Sequence, residues 1–582
     1  MSGIGTVLDI ARGALASSSY GIDITGHNIA NVNTIGYSRQ APVQETRQPL
    51  LYNGLQMGRG VETTEVLRKT EQVIENRLMQ QGSKLAYSTE RENYVKILEG
   101  IFTENAATGV SSLMNDYWNM WHDISNNPSG ASERIALNEY SGLLSEKFQT
   151  LNADLIQLET DLTRSIGPEI DRINQLTKEI AILNNEIVGM ESSSVANDIR
   201  DKRNRLVAQV SESIDVKSFE QENGSLTLVS AKGSILVHGN AAYELALGGV
   251  NSDRVEWQGS GGNVDITDHI STGKIGGWLD MRDEVVAKYR LDLDALAKEF
   301  IWITNQQHSQ GVGLEAFSSV TSGYKAASAA DAMGSSTSGL SFFNKIEDGS
   351  FELSVYDSTG LVDSTVTIPV TGGAAGTTLN ELAATIDGVA NISAAIVDNQ
   401  LQISAASDYT FAFSDDSSHA LAALGINTYF DGNSAGSIGV NDAVVADLNL
   451  IAAARLDGSG LFSSGDNTNA ISITDLQFAV TNLSQWTCNR LNGNTEGTIT
   501  TTIEDGYHAM AGSIGAISVG ISRERSFDAE MVNSVTQIRD SISAVSLDEE
   551  MTNLIKFQHA YSAAAKLIST ADEMLVTLLQ VK

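Results

Sequence analysis

The chain has 582 residues, a formal net charge of −35, 42% hydrophobic residues and a single cysteine, Cys488. That length suits roughly three or four domains, and so strong an acidic balance makes nucleic acid and anionic membrane surfaces poor partners. One cysteine excludes an intrachain disulfide, and no stretch approaches the roughly 18 apolar residues of a membrane span.

The first twenty residues have no basic region and no uninterrupted apolar run, so they do not read as a cleaved signal peptide, which by itself favours the cytoplasm. They open a heptad seam instead. Ile4, Leu8, Ala11, Leu15, Ser18, Ile22, Thr25, Ile29 and Val32 follow four-three spacing, which keeps one face of a helix turned toward a partner helix. Asn28, Asn31, Asn33 and Gly36 close it with residue types that tolerate left-handed backbone. A turn or extended stretch is expected over 37–65, then helical spacing from about 66 to 125, where Trp118 and Trp121 are placed to fill a core. A longer helix runs from about 130 toward 190, and Pro168 is expected to kink or restart it.

From 214 the pattern shifts to short β-rich runs, Ser225–Val229 and Ser234–Val237, bounded by glycines. Helical heptads return over about 276–308. The Gly- and Ser-rich stretch beyond 313 offers the strand candidates Phe351–Tyr356, Ser364–Ile368 and Gln400–Ile403. Helical pattern resumes near 466, weakens through the turn-like stretch Asn492-Gly493-Asn494, and continues from about 503 to 580 with a break near Ser546. The last seam is Leu554, Phe557, Tyr561, Ala564, Ile568, Ala571, Leu575 and Leu578.

The expected fold is therefore α+β and multidomain, and elongated. Paired terminal helices form a coiled-coil-like bundle from 1–40 and 546–582. A second helical bundle takes 41–213, 276–312 and 466–545; a small β-rich domain takes 214–275, and a β-rich insertion takes 313–465.

Candidate chemistry is sparse. The 8 histidines show no metal-binding spacing. Gly311-Val-Gly-Leu-Glu-Ala316 follows a helix rather than a strand, so it reads as a turn and not a dinucleotide site. Asp292 and Asp294 read as a solvated helix face. No enzyme activity and no cofactor are expected.

Two terminal motifs carry a resemblance. Asn28-Ile-Ala-Asn31-Val-Asn-Thr34-Ile-Gly36-Tyr37-Ser38-Arg39-Gln40, and at the other end Ser546-Leu-Asp-Glu-Glu550 with Phe557-Gln558 and Ala571-Asp-Glu-Met574, resemble the bacterial flagellar axial proteins, the rod, hook and hook-associated family. Asn305-Gln-Gln-His308 and Gly465-Asp-Asn-Thr-Asn-Ala470 are similar to internal stretches of the same family. The Tyr-Ser-Arg-Gln ending points within it to the hook-filament junction member.

The resemblance implies a structural adapter at that junction. It would assemble with copies of itself, as a ring or helical homo-oligomer, through Ile4, Leu8, Leu15, Ile22, Ile29, Val32, Leu554, Phe557, Tyr561, Ile568, Leu575 and Leu578. It further implies contact with the hook protein and with the next hook-associated or junction protein toward the filament. An export chaperone on the C-terminal helix and an extracellular, flagellar location reached by type III export without a cleaved signal follow from it as well. The alternatives are a hook or rod subunit of the same family, or an adhesive or enzymatic activity carried by 313–465.

Overall fold

In the computed structural model, residues 2–52, 55–104, 108–191, 194–259 and 261–580 are described. Helix α1, Ser2–Ala30, is followed by an antiparallel pair of strands, Gln40–Thr46 with Val61–Arg68, in the stretch expected to be extended. Helices α2, Gln72–Ile101, and α3, Val110–Asn126, occupy the next helical region.

Helix α4 runs unbroken from Ala131 to Met190 with Pro168 inside it, which corrects the expected restart. A mid-helix proline costs about 3 kcal/mol. Leu162, Ile166, Ile170 and Ile173 on the flanking turns are all buried, and burial of each contributes about 1.5–3 kcal/mol, so packing outweighs the lost backbone bond. Helix α5, Asn197–Ser213, comes next and leads into the first β region.

The chain groups into two compact units. The first comprises 1–94, 161–281 and 519–582. In it, strands Lys217–Glu220, Leu226–Ser230, Ser234–His238 and Ala241–Ala242 form one antiparallel sheet, and Leu245–Gly248, Arg254–Gly259 and Gly262–Asp265 form another. Inward residues alternate, as Leu226, Leu228 and Ser230 show. The chain then enters helix α6, Gly273–Asp280, through Gly273 at φ +76°. A Cβ at this glycine would stand 2.6 Å from the Ile214 backbone nitrogen, so both conformation and space demand glycine. A one-turn π segment, Met281–Val286, follows.

The second unit comprises 95–160 and 282–518. Trp118 and Trp121 are buried, and with Tyr117, Phe300, Tyr429 and Phe430 they form a cluster of edge-on and tilted rings. Helix α7, Ala287–His308, runs through this core. The insertion carries a sheet with Gly349–Tyr356 between Val362–Val370 and Thr410–Ser414, and a second with Gln400–Ala405 between Ser319–Thr321 and Ile392–Val397. All three strand candidates lie within these strands. Helix α8, Leu379–Asp387, packs on the second sheet and starts with a capping box between Thr378 and Glu381, and the short helices α9, Ala420–Leu424, α10, Asp442–Ala446, and α11, Thr468–Asp475, follow it.

Two expectations are corrected in this unit. The turn-like stretch Asn492-Gly493-Asn494 lies in the connection of a β-hairpin, Thr481–Thr487 with Thr495–Thr501, so its flanks are strands rather than the weakened helix expected there. Asp292 and Asp294 are not a solvated face: Asp292 pairs with Lys288 and accepts from the Trp486 backbone N–H, and Asp294 accepts from that of Ala435. Each carboxylate satisfies a main-chain donor that the segment packing on α7 would otherwise bury unpaired.

The internal family-like stretches meet at the neck of the insertion. Asn305 accepts from the backbone N–H groups of Tyr429 and Phe430 and donates to the Phe430 carbonyl. Gln307 donates to the Asn469 side-chain oxygen at 2.8 Å, and Asn469 donates to the Ala452 carbonyl at 2.7 Å. Gly311-Val312-Gly313 turns the chain out of α7, the Gly311 N–H donating to the His308 carbonyl, and then meets distant backbone. Val312 exchanges backbone hydrogen bonds with Ala454, and a Cβ at Gly313 would stand 2.0 Å from the Asn449 carbonyl oxygen. The glycines serve close backbone approach.

His308 completes the neck. Fully buried, it bonds the Asn427 carbonyl through Nδ1 (2.8 Å) and accepts from the Ala452 N–H at Nε2 (3.0 Å). The second contact requires a bare Nε2, so the ring is neutral with its proton on Nδ1. Burial pushes its pKa down to about 4, opposed by the Asn427 carbonyl and helped by Arg134.

A lowered histidine pKa gives stability that is full above the unfolded value near 6.5 and is lost as pH falls toward 4, a span on the order of 3 kcal/mol. Denaturant melts at pH 7, 5.5 and 4 should show a smaller acid loss in His308→Gln than in the parent; equal slopes would refute the neutral ring. Gly273→Ala should lower stability by about 2 kcal/mol or more in the same melts, because a left-handed residue acquires a clash with backbone.

Candidate assembly site

After the break at 544–546, the second terminal helix, α13, Leu547–Gln580, follows α12, Ile503–Ser543. Helices α1 and α13 pack along each other. The most deeply covered seam positions hold small residues: Ala11, Ser18 and Thr25 on α1, and Ala564 and Ala571 on α13. Ser18 and Thr25 bond the carbonyls of Ala14 and Gly21 one turn back, which makes their hydroxyls compatible with burial.

The larger seam residues are only partly covered. Ile4, Leu8, Leu15, Ile22 and Ile29 on α1, Val32 just beyond it, and Leu554, Phe557, Ile568 and Leu575 on α13 are half-buried, while Tyr561 is 39% and Leu578 49% exposed. Phe557 lies over Gly21, where a Cβ would come within 2.6 Å of its ring.

The back of α1 rests on the strand pair Gln40–Thr46 and Val61–Arg68. A Cβ at Gly13 would lie 2.7 Å from the Val61 carbonyl oxygen, and Thr63 donates to Ser17. Glycine and serine thus let the helix approach the strands closely. Exposed apolar residues that the heptads did not identify also lie on α13: Met551, Ile555, Leu567, Met574, Val576 and Leu579. A count of exposed positions outside the seam would have found them.

Residues 28–40 form a hydrogen-bonded latch at the end of α1. Asn28, 1% exposed, donates to the Gln40 carbonyl at 2.9 Å and to Glu550 at 3.0 Å. Its oxygen accepts from the Gln40 N–H and the Tyr37 hydroxyl. Asn31 donates to the His27 carbonyl and accepts from Thr34, closing the turn that Gly36 continues at φ +76° with Arg205 packed against it. Ser38 gives both its backbone N–H and its hydroxyl to Asp201, which also pairs with Arg68 at 2.7 Å. Gln40 reaches Asp198.

Arg39 ties this latch to the other end of the chain. Its Nε meets Glu550 at 2.8 Å, its Nη1 meets Glu549 at 2.6 Å, and its backbone N–H donates to the Ser543 carbonyl. Glu550 is 2% exposed, so its charge is held by Arg39 and Asn28. Burial raises the Tyr37 pKa, with Asp198, Asp201 and Glu550 adding to the rise, so the phenol stays neutral and donates. Glu549 and Glu550 belong to a terminal motif visible in the sequence. Asp198 and Asp201 were missed, and their signal is two acidic residues in the first turns of a helix, where the dipole favours them.

Among the described residues no group of three or more His, Cys, Asp or Glu is placed to hold a metal, and no helix is long and apolar enough to cross a membrane.

Comparison with known proteins agrees with the terminal motifs. Residues 95–319 match the family model "Flagellar hook-associated protein FlgK helical domain", and residues 539–581 match "Flagellar basal body rod FlgEFG protein C-terminal". Flagellar hook-associated protein 1 of Escherichia coli is 24% identical over 99% of this chain and 100% of its own length. The protein of the same name from Bacillus subtilis is 24% identical over 98% of this chain and 96% of its own. The solved hook junction protein FlgK of Burkholderia pseudomallei shares the fold at a TM-score of 0.52 and 16% identity, covering 80% of this chain and all of that one. A matching helical domain, a matching C-terminal segment and relatives matched over nearly their whole length converge on one likeness: the chain is similar from end to end to flagellar hook-associated protein 1.

Proposed function

We propose that this protein is a structural axial component of the bacterial flagellum, an adapter at the hook-filament junction that assembles with copies of itself through α1 and α13 and so allows the filament to attach. The observation that carries the reading is the half-covered seam. Two helices alone leave the flanks of Leu554, Phe557, Ile568 and Leu575 partly open and Tyr561 and Leu578 exposed, and apolar surface left in water favours association. The latch holds the two helices in one register, so every copy presents the same surface.

The hook protein on one side and the next hook-associated or junction protein toward the filament on the other are the partners this position requires. The exposed apolar residues of α13 suit an export chaperone before assembly, in the manner of an amphipathic helix laid in a groove. The working location is outside the cell, reached by the flagellar export route. A role as a hook or rod subunit is not favoured, since the full-length relatives are hook-associated proteins.

Immunogold labelling of intact flagella should give one band where hook meets filament; label along the hook, along the filament or only inside cells would overturn the assignment. Leu575→Asp should abolish filament attachment while near-UV circular dichroism stays that of the parent, and normal filaments on that mutant would refute the seam. Arg39→Ala strands the buried Glu550 carboxylate and should destabilise the free protein by about 3 kcal/mol. The double variant with Glu550→Ala should lose at least about 1 kcal/mol less than the two single losses added, since the residues act as a pair.

A further inference from the structure

Beneath the latch, within the first unit, lies a cavity of about 680 Å³ that the assembly seam does not use. Its walls come from the 31–38 turn, the start of α2, the outer face of α5 and the end of α12 with the turn after it. Leu78, Met79, Val207 and Val545 make much of the surface apolar.

Two polar groups in this wall are unspent. Ser543 is 5% exposed, yet its hydroxyl has no hydrogen-bond partner, although its backbone carbonyl is taken by Arg39. The Glu75 carboxyl makes no hydrogen bond or ion pair among the described residues, and burial raises its pKa, with Arg539 opposing the rise and Asp201 adding to it. Most of the other charges are engaged, the exposed Glu212 excepted. Asp201 holds Ser38 and Arg68, Arg205 donates to the Ile35 carbonyl, and Arg539 is joined to Asp540. The lining has five carboxylates against two guanidiniums, so the cavity attracts positive charge.

A buried hydroxyl without a partner costs about 1–3 kcal/mol, and a carboxyl raised by desolvation is relieved by a cation that follows it out of water. Apolar walls and this volume exceed what a bare metal ion needs and match a few residues of extended chain. We propose that the cavity is a docking site for a short basic and apolar peptide segment of a partner protein, with a lysine ammonium at Glu75, a polar contact at Ser543 and apolar neighbours against Met79 and Val207. Lysine suits it because its four-carbon stem lies along an apolar wall while its charge reaches the carboxylate. The site is independent of the seam, so its failure would leave the junction reading untouched.

The test uses the full chain and the peptide acetyl-Val-Leu-Lys-Val-amide, with acetyl-Val-Leu-Glu-Val-amide as control, followed by saturation-transfer NMR and calorimetry. The lysine peptide should bind saturably and the glutamate peptide should not. Glu75→Gln should weaken binding about tenfold or more, the effect of losing one charge-assisted contact. Ala208→Trp, which fills the cavity from α5, should abolish binding, with circular dichroism verifying that both variants fold. No saturable binding of the lysine peptide, equal binding of the two peptides, or unchanged binding by either variant would overturn the proposal.

Discussion

The contact on which the terminal architecture rests is the one between Asn28 and Glu550, side chains 522 residues apart that bond at 3.0 Å. A carboxylate that is almost wholly buried is costly unless its charge and its lone pairs are satisfied. Arg39 supplies the charge and Asn28 a donor, and both are held by the turn that carries Tyr37 and Gln40. The two ends therefore meet in one register, since a shift by a turn would strand the carboxylate. The seam itself is less discriminating: a repeat of apolar residues packs nearly as well when slipped by a heptad. Apolar burial supplies attraction here, and the polar latch supplies alignment.

Small residues set how closely the elements approach. Ala11, Ala564 and Ala571 are buried while larger neighbours remain half open, so the helix pair is narrow and leaves apolar flank for other chains. A pair built with leucine at those positions would cover itself better and offer less. Gly13 and Gly21 play the matching part on α1, one against the Val61 carbonyl and the other beneath the Phe557 ring. The same logic operates in the second unit, where Gly311 and Gly313 admit backbone approach at the neck of the insertion. There the alignment is again polar, through Asn305, His308 and Asn469. Buried polar side chains whose donors and acceptors are taken up by backbone and by one another specify one arrangement, which suits a point where the chain leaves a helical core and returns to it.

The terminal heptads, the long fourth helix, the strands at 351–356, 364–368 and 400–403 and the motif residues from Asn28 to Gln40 were legible in the amino-acid order alone. Each depends on a local period, or on a short string of residue types, that does not need to know its neighbours. Other features depended on distant chain. Pro168 breaks a helix by local rules, but the burial of Leu162, Ile166, Ile170 and Ile173 overrides it. The hairpin at 481–501 takes shape on α7, whose Asp292 receives the Trp486 N–H, and this contact makes an apparently solvated acid a structural one. The partners of Ser38 and Gln40 lie on α5, whose register against the latch has no counterpart in the motif. Period and motif determined which faces are apolar and which residues carry the family resemblance. Only the tertiary structure decided what those faces and motif residues touch, because a hydrogen-bond partner hundreds of residues away leaves no local signal until the chain brings it within 3 Å.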